Sequence, residues 1–221
     1  MSKTLVAFGL VAFLAVPAMA QPPGGGRGFG FGGPGGGGLG MLLSNKSVQE
    51  ELKLAGDQVE KVKELADKTR EKIEKATEGL EGQERFAKVR EISKELEDDA
   101  KAAIKDVLKP EQITRLHQIR NQTLGYLAFA NEEVAKKLEL TDAQKDEVKS
   151  ISEEAGSKMR EIFQESQGDR QAARTKINEL RKETLAKVEA KLTDAQKATW
   201  KELTGAPFEL KMEGRPGGPG R

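Results

Sequence analysis

Apolar residues recur along most of this chain with the 3.6-residue period of an amphipathic helix, not the two-residue alternation of a strand. Val59, Val62, Leu65, Ala66, Ile73 and Leu80 fall on one such stripe and predict a long helix over about 56–80. A short helix at about 45–53 precedes it. The region from Gly79 to Gln83 turns the chain, with Gly82 as the breaker. Phe86, Val89, Ile92, Leu96, Ala100, Ile104 and Val107 then line one face of a return helix, and a last short helix after Pro110 contributes Ile113, Leu116 and Ile119. The second half repeats the scheme. Val148, Ile151, Ala155, Met159 and Ile162 line a long helix, Gly168-Asp169 turns, and Ala173, Ile177, Leu180, Val188 and Leu192 line the return. Trp200 falls where the first half has Leu116, which marks it as a core residue. Each pair of long helices reads as an antiparallel hairpin about 37 Å long at ~1.5 Å per residue. Its stripe is too narrow to bury itself, so the short helices and the other hairpin are expected to cover it.

The helix starts share a five-residue phrase. Leu140-Thr141-Asp142-Ala143-Gln144 recurs as Leu192-Thr193-Asp194-Ala195-Gln196, while Leu54 with Gln58 and Leu108 with Gln112 keep the outer residues at the same spacing. A Thr with a Gln three residues later is a capping box, in which the hydroxyl accepts from the third helical N–H and the Gln reaches back to the cap N–H. Ala55 and Lys109 are poor caps. There Pro110 suits a first helical position, and Leu54 and Leu108 are placed to staple onto Val59 and Ile113. Lys145 and Lys197 occupy the equivalent places in the two full boxes, which therefore lack the staple. Residues 47–54 also align with 133–140, and the later motifs correspond at nearly the same offset. The predicted fold is all-α: two tandem helical-hairpin repeats of four helices each, two long and two short, over 44–124 and 132–210. A packed connector at 125–131, with Tyr126 and Phe129, joins them.

The ends differ in kind. Residues 1–20 read as a secretory signal: Lys3 starts it, Leu5 to Val16 form the apolar core, and Ala18-Met19-Ala20 is the cleavage site. The apolar run is short of the ~20 residues that span a bilayer, so no membrane insertion is expected after cleavage. Residues 21–43 form a glycine-rich arm with Phe29 and Phe31, expected to be disordered, and 211–221 a shorter tail of the same kind. Charged residues make up 33% and aromatics 5% of the chain, which suits long solvated helices better than a thick core. Loss of Lys3 with the signal leaves 36 basic and 36 acidic residues, a balance that gives no support for nucleic-acid binding. Cysteine is absent, which excludes disulfides, thiolate chemistry and lipid attachment through a cysteine.

Candidate chemistry is sparse. His117 is the only histidine and sits near Ile113 and Leu116, so it reads as a partly buried structural residue. Met41, Met159 and Met212 are scattered, and no His or Cys cluster suits zinc or copper. Glu64 with Lys68 and Glu71 with Lys75 are ordinary helical pairs. The run Glu95, Glu97, Asp98, Asp99 lacks the loop glycine and ligand alternation of a calcium site, and no glycine lies in a phosphate-cradling loop. Catalytic, cofactor and metal sites are therefore expected to be absent.

Exported helical proteins with paired Leu-Thr-x-x-Gln motifs resemble the Spy/CpxP family of bacterial periplasmic proteins. The pairs here are Leu54–Gln58 with Leu108–Gln112, and Leu140–Gln144 with Leu192–Gln196. The resemblance covers about residues 45–205. It implies a cradle-shaped helical fold, here with one chain supplying both halves, as a monomer with an internal pseudo-dimer or as a homodimer. It also implies periplasmic, ATP-independent chaperoning of unfolded or partly folded proteins. The departures are the near-neutral charge of each half and the lack of the His-rich or Met-rich segments of metal-sensing relatives. The alternative reading is a structural or adaptor protein that holds an envelope protein, or an accessory to an envelope-stress sensor.

Overall fold

The computed structural model describes residues 38–166 and 168–211. The expected signal segment, most of the glycine-rich arm and all but the first residue of the tail lie outside the described residues. The described chain is all-α. Its α-helices are α1 (Leu39–Leu43), α2 (Lys46–Glu51), α3 (Gly56–Ala76), α4 (Gly82–Val107), α5 (Pro110–Leu124), α6 (Glu132–Lys137), α7 (Asp142–Glu165), α8 (Arg170–Glu189) and α9 (Asp194–Thr204), with a 3-10 helix at Gly125–Ala130. From α2 to α5 the order is short, long, long, shorter. It is the same from α6 to α9.

The short helices α2 and α6 open alike, with the Asn45 and Asn131 side chains accepting from the N–H groups two and three residues on. They also close alike. Lys53 and Glu139 take a left-handed φ of 51°. Leu54 N–H donates to Gln49 O at 3.1 Å and Lys53 N–H to Glu50 O at 3.0 Å; Leu140 and Glu139 make the matching bonds to Ala135 O and Lys136 O. This is the Schellman closure, usually built on glycine. The leucine that opens two of the four motifs thus ends one helix, and the next begins two residues later.

The interior consists of two apolar clusters. One gathers Leu39, Leu42, Leu43, Val48, Leu52, Val62, Ile104, Leu108, Leu116 and Ile119. The other joins Val134, Leu138, Leu140, Val148, Ala155, Val188, Leu192 and Trp200 to Tyr126, Ala128 and Phe129 of the 3-10 segment. Phe129 and Trp200 lie with ring centroids 4.4 Å apart, tilted by 41°. Both clusters sit mainly at the motif ends of the hairpins. Towards the tips, Leu65, Ile73, Leu80, Val89, Ile92 and Leu96 in the first hairpin and Met159 and Ile162 in the second are only half-buried.

Four expectations need correction. Residues 39–43 are not part of a disordered arm. Their leucines, spaced i, i+3 and i+4, form one apolar helical turn that is 0–1% exposed against the first core. Residues 205–210, expected within the second helical repeat, are not helical; with Lys211, expected in the tail, they form a segment whose Phe208 and Leu210 pack on that same core. Phe86 continues the stripe of α4 but is 48% exposed, because it lies beyond the reach of the cores at the hairpin base. The first turn also falls at 77–81, and Gly82 is the first residue of α4, with φ +53°.

Candidate functional site

Each motif glutamine stands at the third position of its helix and accepts from the N–H of its cap residue. The donors are Ala55 (3.0 Å), Lys109 (2.9 Å), Thr141 (3.1 Å) and Thr193 (2.9 Å). In the full boxes Thr141 and Thr193 Oγ1 also accept from the Gln144 and Gln196 N–H, both at 3.2 Å. At Ala55 and Lys109 only the glutamine arm of the box exists. Leu54 and Ile113 rest on the first core, of which Leu108 is a member.

The structure brings the motif residues together in pairs across helices. Gln58 Nε2 donates to Gln112 Oε1 at 2.8 Å, and Gln112 Nε2 donates back to Gln58 Oε1 at 3.1 Å. The remaining amide hydrogens reach Val107 O and Leu52 O, so each amide spends its donors on the other motif of its half. Gln144 and Gln196 make the same reciprocal pair at 2.8 and 2.9 Å, with further bonds to Lys191 O and Glu139 O. The first pair is buried, each residue 8% exposed, and the second is half-buried. Each pair ties the start of one long helix to the end of its return helix. It is a clasp at the hairpin base, and it leaves no donor or acceptor over for substrate.

Comparison of the chain with protein-family models, curated proteins and solved structures finds no match in any of the three. A functional reading therefore rests on what the surface offers. The largest exposed apolar side chains among the described residues are Phe163 (60%), Phe86 (48%) and Leu127 (38%). Phe86 lies in the first turns of α4 and Phe163 in the last turn of α7, so each hairpin carries one exposed phenyl ring near its tip. Exposed cations adjoin both, Arg85 beside Phe86 and Arg160 near Phe163.

His117 is half-buried, beside a cavity of about 120 Å³ shared with Lys101, Glu133, Leu39, Ile104 and Ile113. Burial, and after it the Arg120 charge, holds the imidazole below its ordinary value. Burial alone pushes the Glu133 carboxyl up, but the Lys101 hydrogen bond and the charges of Lys101, His117 and Arg120 outweigh it and leave that acid lowered. Lys101 stands 3.3 Å from Glu133, and Arg120 pairs with Glu97 at 2.6 Å. This group is a set of paired charges linking α4 and α5 to α6. No set of three or more His, Cys, Asp or Glu suited to a metal occurs among the described residues. A wider groove, about 450 Å³, runs beside Trp200 between α8 and α9 and is open to solvent. The Trp200 Nε1–H donates to Glu189 Oε1 at 2.9 Å, so its polar edge is already engaged. No described helix is long and apolar enough to cross a membrane.

Sequence reasoning missed the clasp. Its only trace is that all four phrases keep the glutamine, including the two that lack a capping hydroxyl.

Proposed function

We propose that this is an exported, periplasmic, ATP-independent chaperone-like protein that holds unfolded or partly folded clients against the tips of its two hairpins. One observation carries the reading: a phenyl ring stands exposed near each tip, on a helix whose base is locked by a core and a clasp. Exposed aromatics on a rigid mount capture apolar client segments with little ordering cost to the binder. Neighbouring exposed arginines hasten encounter with acidic stretches. The half-buried side chains along the inner stripe extend each contact below the tip. The likeness to Spy/CpxP proteins in the paired motifs agrees with this reading and supplies its periplasmic setting.

The test is light scattering of an aggregating client, without nucleotide, with wild type and with Phe86→Ser/Phe163→Ser. Wild type is expected to suppress scattering at near-stoichiometric amounts. The double variant should lose most of that suppression while keeping its far-ultraviolet circular dichroism. Equal suppression by both proteins, or none by wild type across several clients, would sink the reading.

A further inference from the structure

After α9 the chain leaves the helix through Gly205, at φ +62°, and crosses onto the first half. Phe208 and Leu210 are half-buried on the first core, while Pro207, Glu209 and Lys211 are exposed. This alternation is that of an extended chain laid along a surface. The surface is built by α2 and α5. Arg115 Nη1 and Gln122 Nε2 donate to Ala206 O at 2.9 and 2.8 Å. Phe208 N–H donates to Gln122 Oε1 at 2.8 Å, Lys211 N–H to Ser47 Oγ at 3.2 Å, and Asn45 Nδ2 to Lys211 O at 2.9 Å.

Two features distinguish this arrangement from an ordinary packed tail. The groove's hydrogen bonds reach only the main chain of 206–211, from side chains of its own, while Phe208 and Leu210 lie on the core; no bond uses the Glu209 or Lys211 side chains. Recognition of this kind tolerates any sequence that places apolar groups at alternate positions. The second feature is a contrast within the molecule. Residues 125–130 follow α5 through Gly125 (φ +57°) as 206–211 follow α9, and they pack on the second core. There Tyr126, Ala128 and Phe129 are 0–3% exposed and the chain continues into α6. The later segment is only half-buried. Segments with few buried contacts open at low cost.

We propose that the groove between α2 and α5 is a binding site for an extended peptide with an aromatic and an aliphatic side chain two residues apart, and that residues 206–211 occupy it in cis as a displaceable strap. This deepens the chaperone reading by adding a client site of defined chemistry. It is separable from that reading, because aggregation suppression is assigned to the hairpin tips and not to this groove.

The experiment uses the full chain carrying Phe208→Ala and Leu210→Ala, and a fluorescent peptide with the sequence of residues 205–211. Fluorescence anisotropy should show the variant binding the peptide at least about tenfold more tightly than wild type does, the ratio expected when the strap closes nine-tenths or more of the sites. A peptide with its Phe and Glu exchanged should bind neither protein. Equal affinity for variant and wild type, or equal binding of the exchanged peptide, overturns the proposal. Should the double variant lose its helical signal, Leu210→Ala alone is measured, and the same outcomes decide. If peptide binding fails while aggregation suppression persists, the strap proposal falls and the chaperone reading stands.

Discussion

Replacing Gln112 by leucine removes four hydrogen bonds at once: from Lys109 N–H, to Leu52 O, and both links with Gln58. At about 1 kcal/mol net for each, the loss is about 4 kcal/mol, and the apolar side chain recovers about 1 of these by burial. The expected cost is therefore about 3 kcal/mol. Gln144→Leu deletes the same chemistry from the other clasp, where the partners are half-exposed and water replaces the lost bonds. Its expected cost is about 1 kcal/mol. The reciprocal geometry adds a second expectation. Once Gln112 is gone, the Gln58 amide is left buried without its partner, so Gln58→Leu added to Gln112→Leu should cost at least about 1 kcal/mol less than the sum of the singles. Urea unfolding followed by circular dichroism gives all four values. A Gln144→Leu as damaging as Gln112→Leu, or strict additivity of the Gln58 and Gln112 substitutions, would refute the claim that burial and reciprocity set the strength of these clasps.

Gly205→Ala should destabilise the chain by about 1–3 kcal/mol, since φ is +62° with ψ −156°, a conformation that residues with a Cβ hardly adopt; urea unfolding reads the loss. Lys53→Gly and Glu139→Gly should each stabilise by about 0.5–1 kcal/mol, measured in the same way, because both residues hold a left-handed φ of 51° at a helix end. His117 is depressed by burial in the folded state, so its contribution is present above about pH 6.5 and is lost as pH falls through its folded-state value. Unfolding measured between about pH 7.5 and 5.5 should show stability falling in the wild type and a flatter response in His117→Gln. Glu133, lowered in the fold, acts in a lower window, where its contribution is lost as pH falls below 4.5.

The helix starts could be read from the sequence because a capping box is a local device: Thr141 and Gln144 meet within one turn wherever that turn lies. The long stripes could be read for the same reason. The pairing of Gln58 with Gln112 could not, since it depends on α4 returning to the start of α3, and no window of sequence holds both residues. The left-handed ends at Lys53 and Glu139 were hidden because neither is glycine. Their trace is the leucine that follows each and closes the Schellman turn. Glycine-rich composition upstream concealed Leu39, Leu42 and Leu43, although their spacing alone predicts a helical turn. Phe208 and Leu210 fall inside the bounds expected for the second repeat, and their two-residue spacing after Gly205 is the signal of an extended segment there.

The two halves show how one local grammar yields unequal parts. In both, a short helix, a hairpin and a clasp recur, and the α5 amides Gln118, Asn121 and Gln122 accept the task of closing α9, donating to Glu202 O, Leu203 O and Thr204 O. That side-chain cap fastens the second half to the first beside the second core, on which Leu124 of α5 and Leu203 of α9 both pack. Stability is thus concentrated in the hairpin bases and at their junction, where amides and leucines are both buried. Neither glutamine pair lies at the tips, and although Thr77, Ala173 and Ile177 are buried towards them, it is there that Phe86 and Phe163 reach solvent. A base held by a core and a clasp, with an apolar, accessible tip, is the division that the proposed capture of an unfolded chain would use: the contact surface must not already be satisfied.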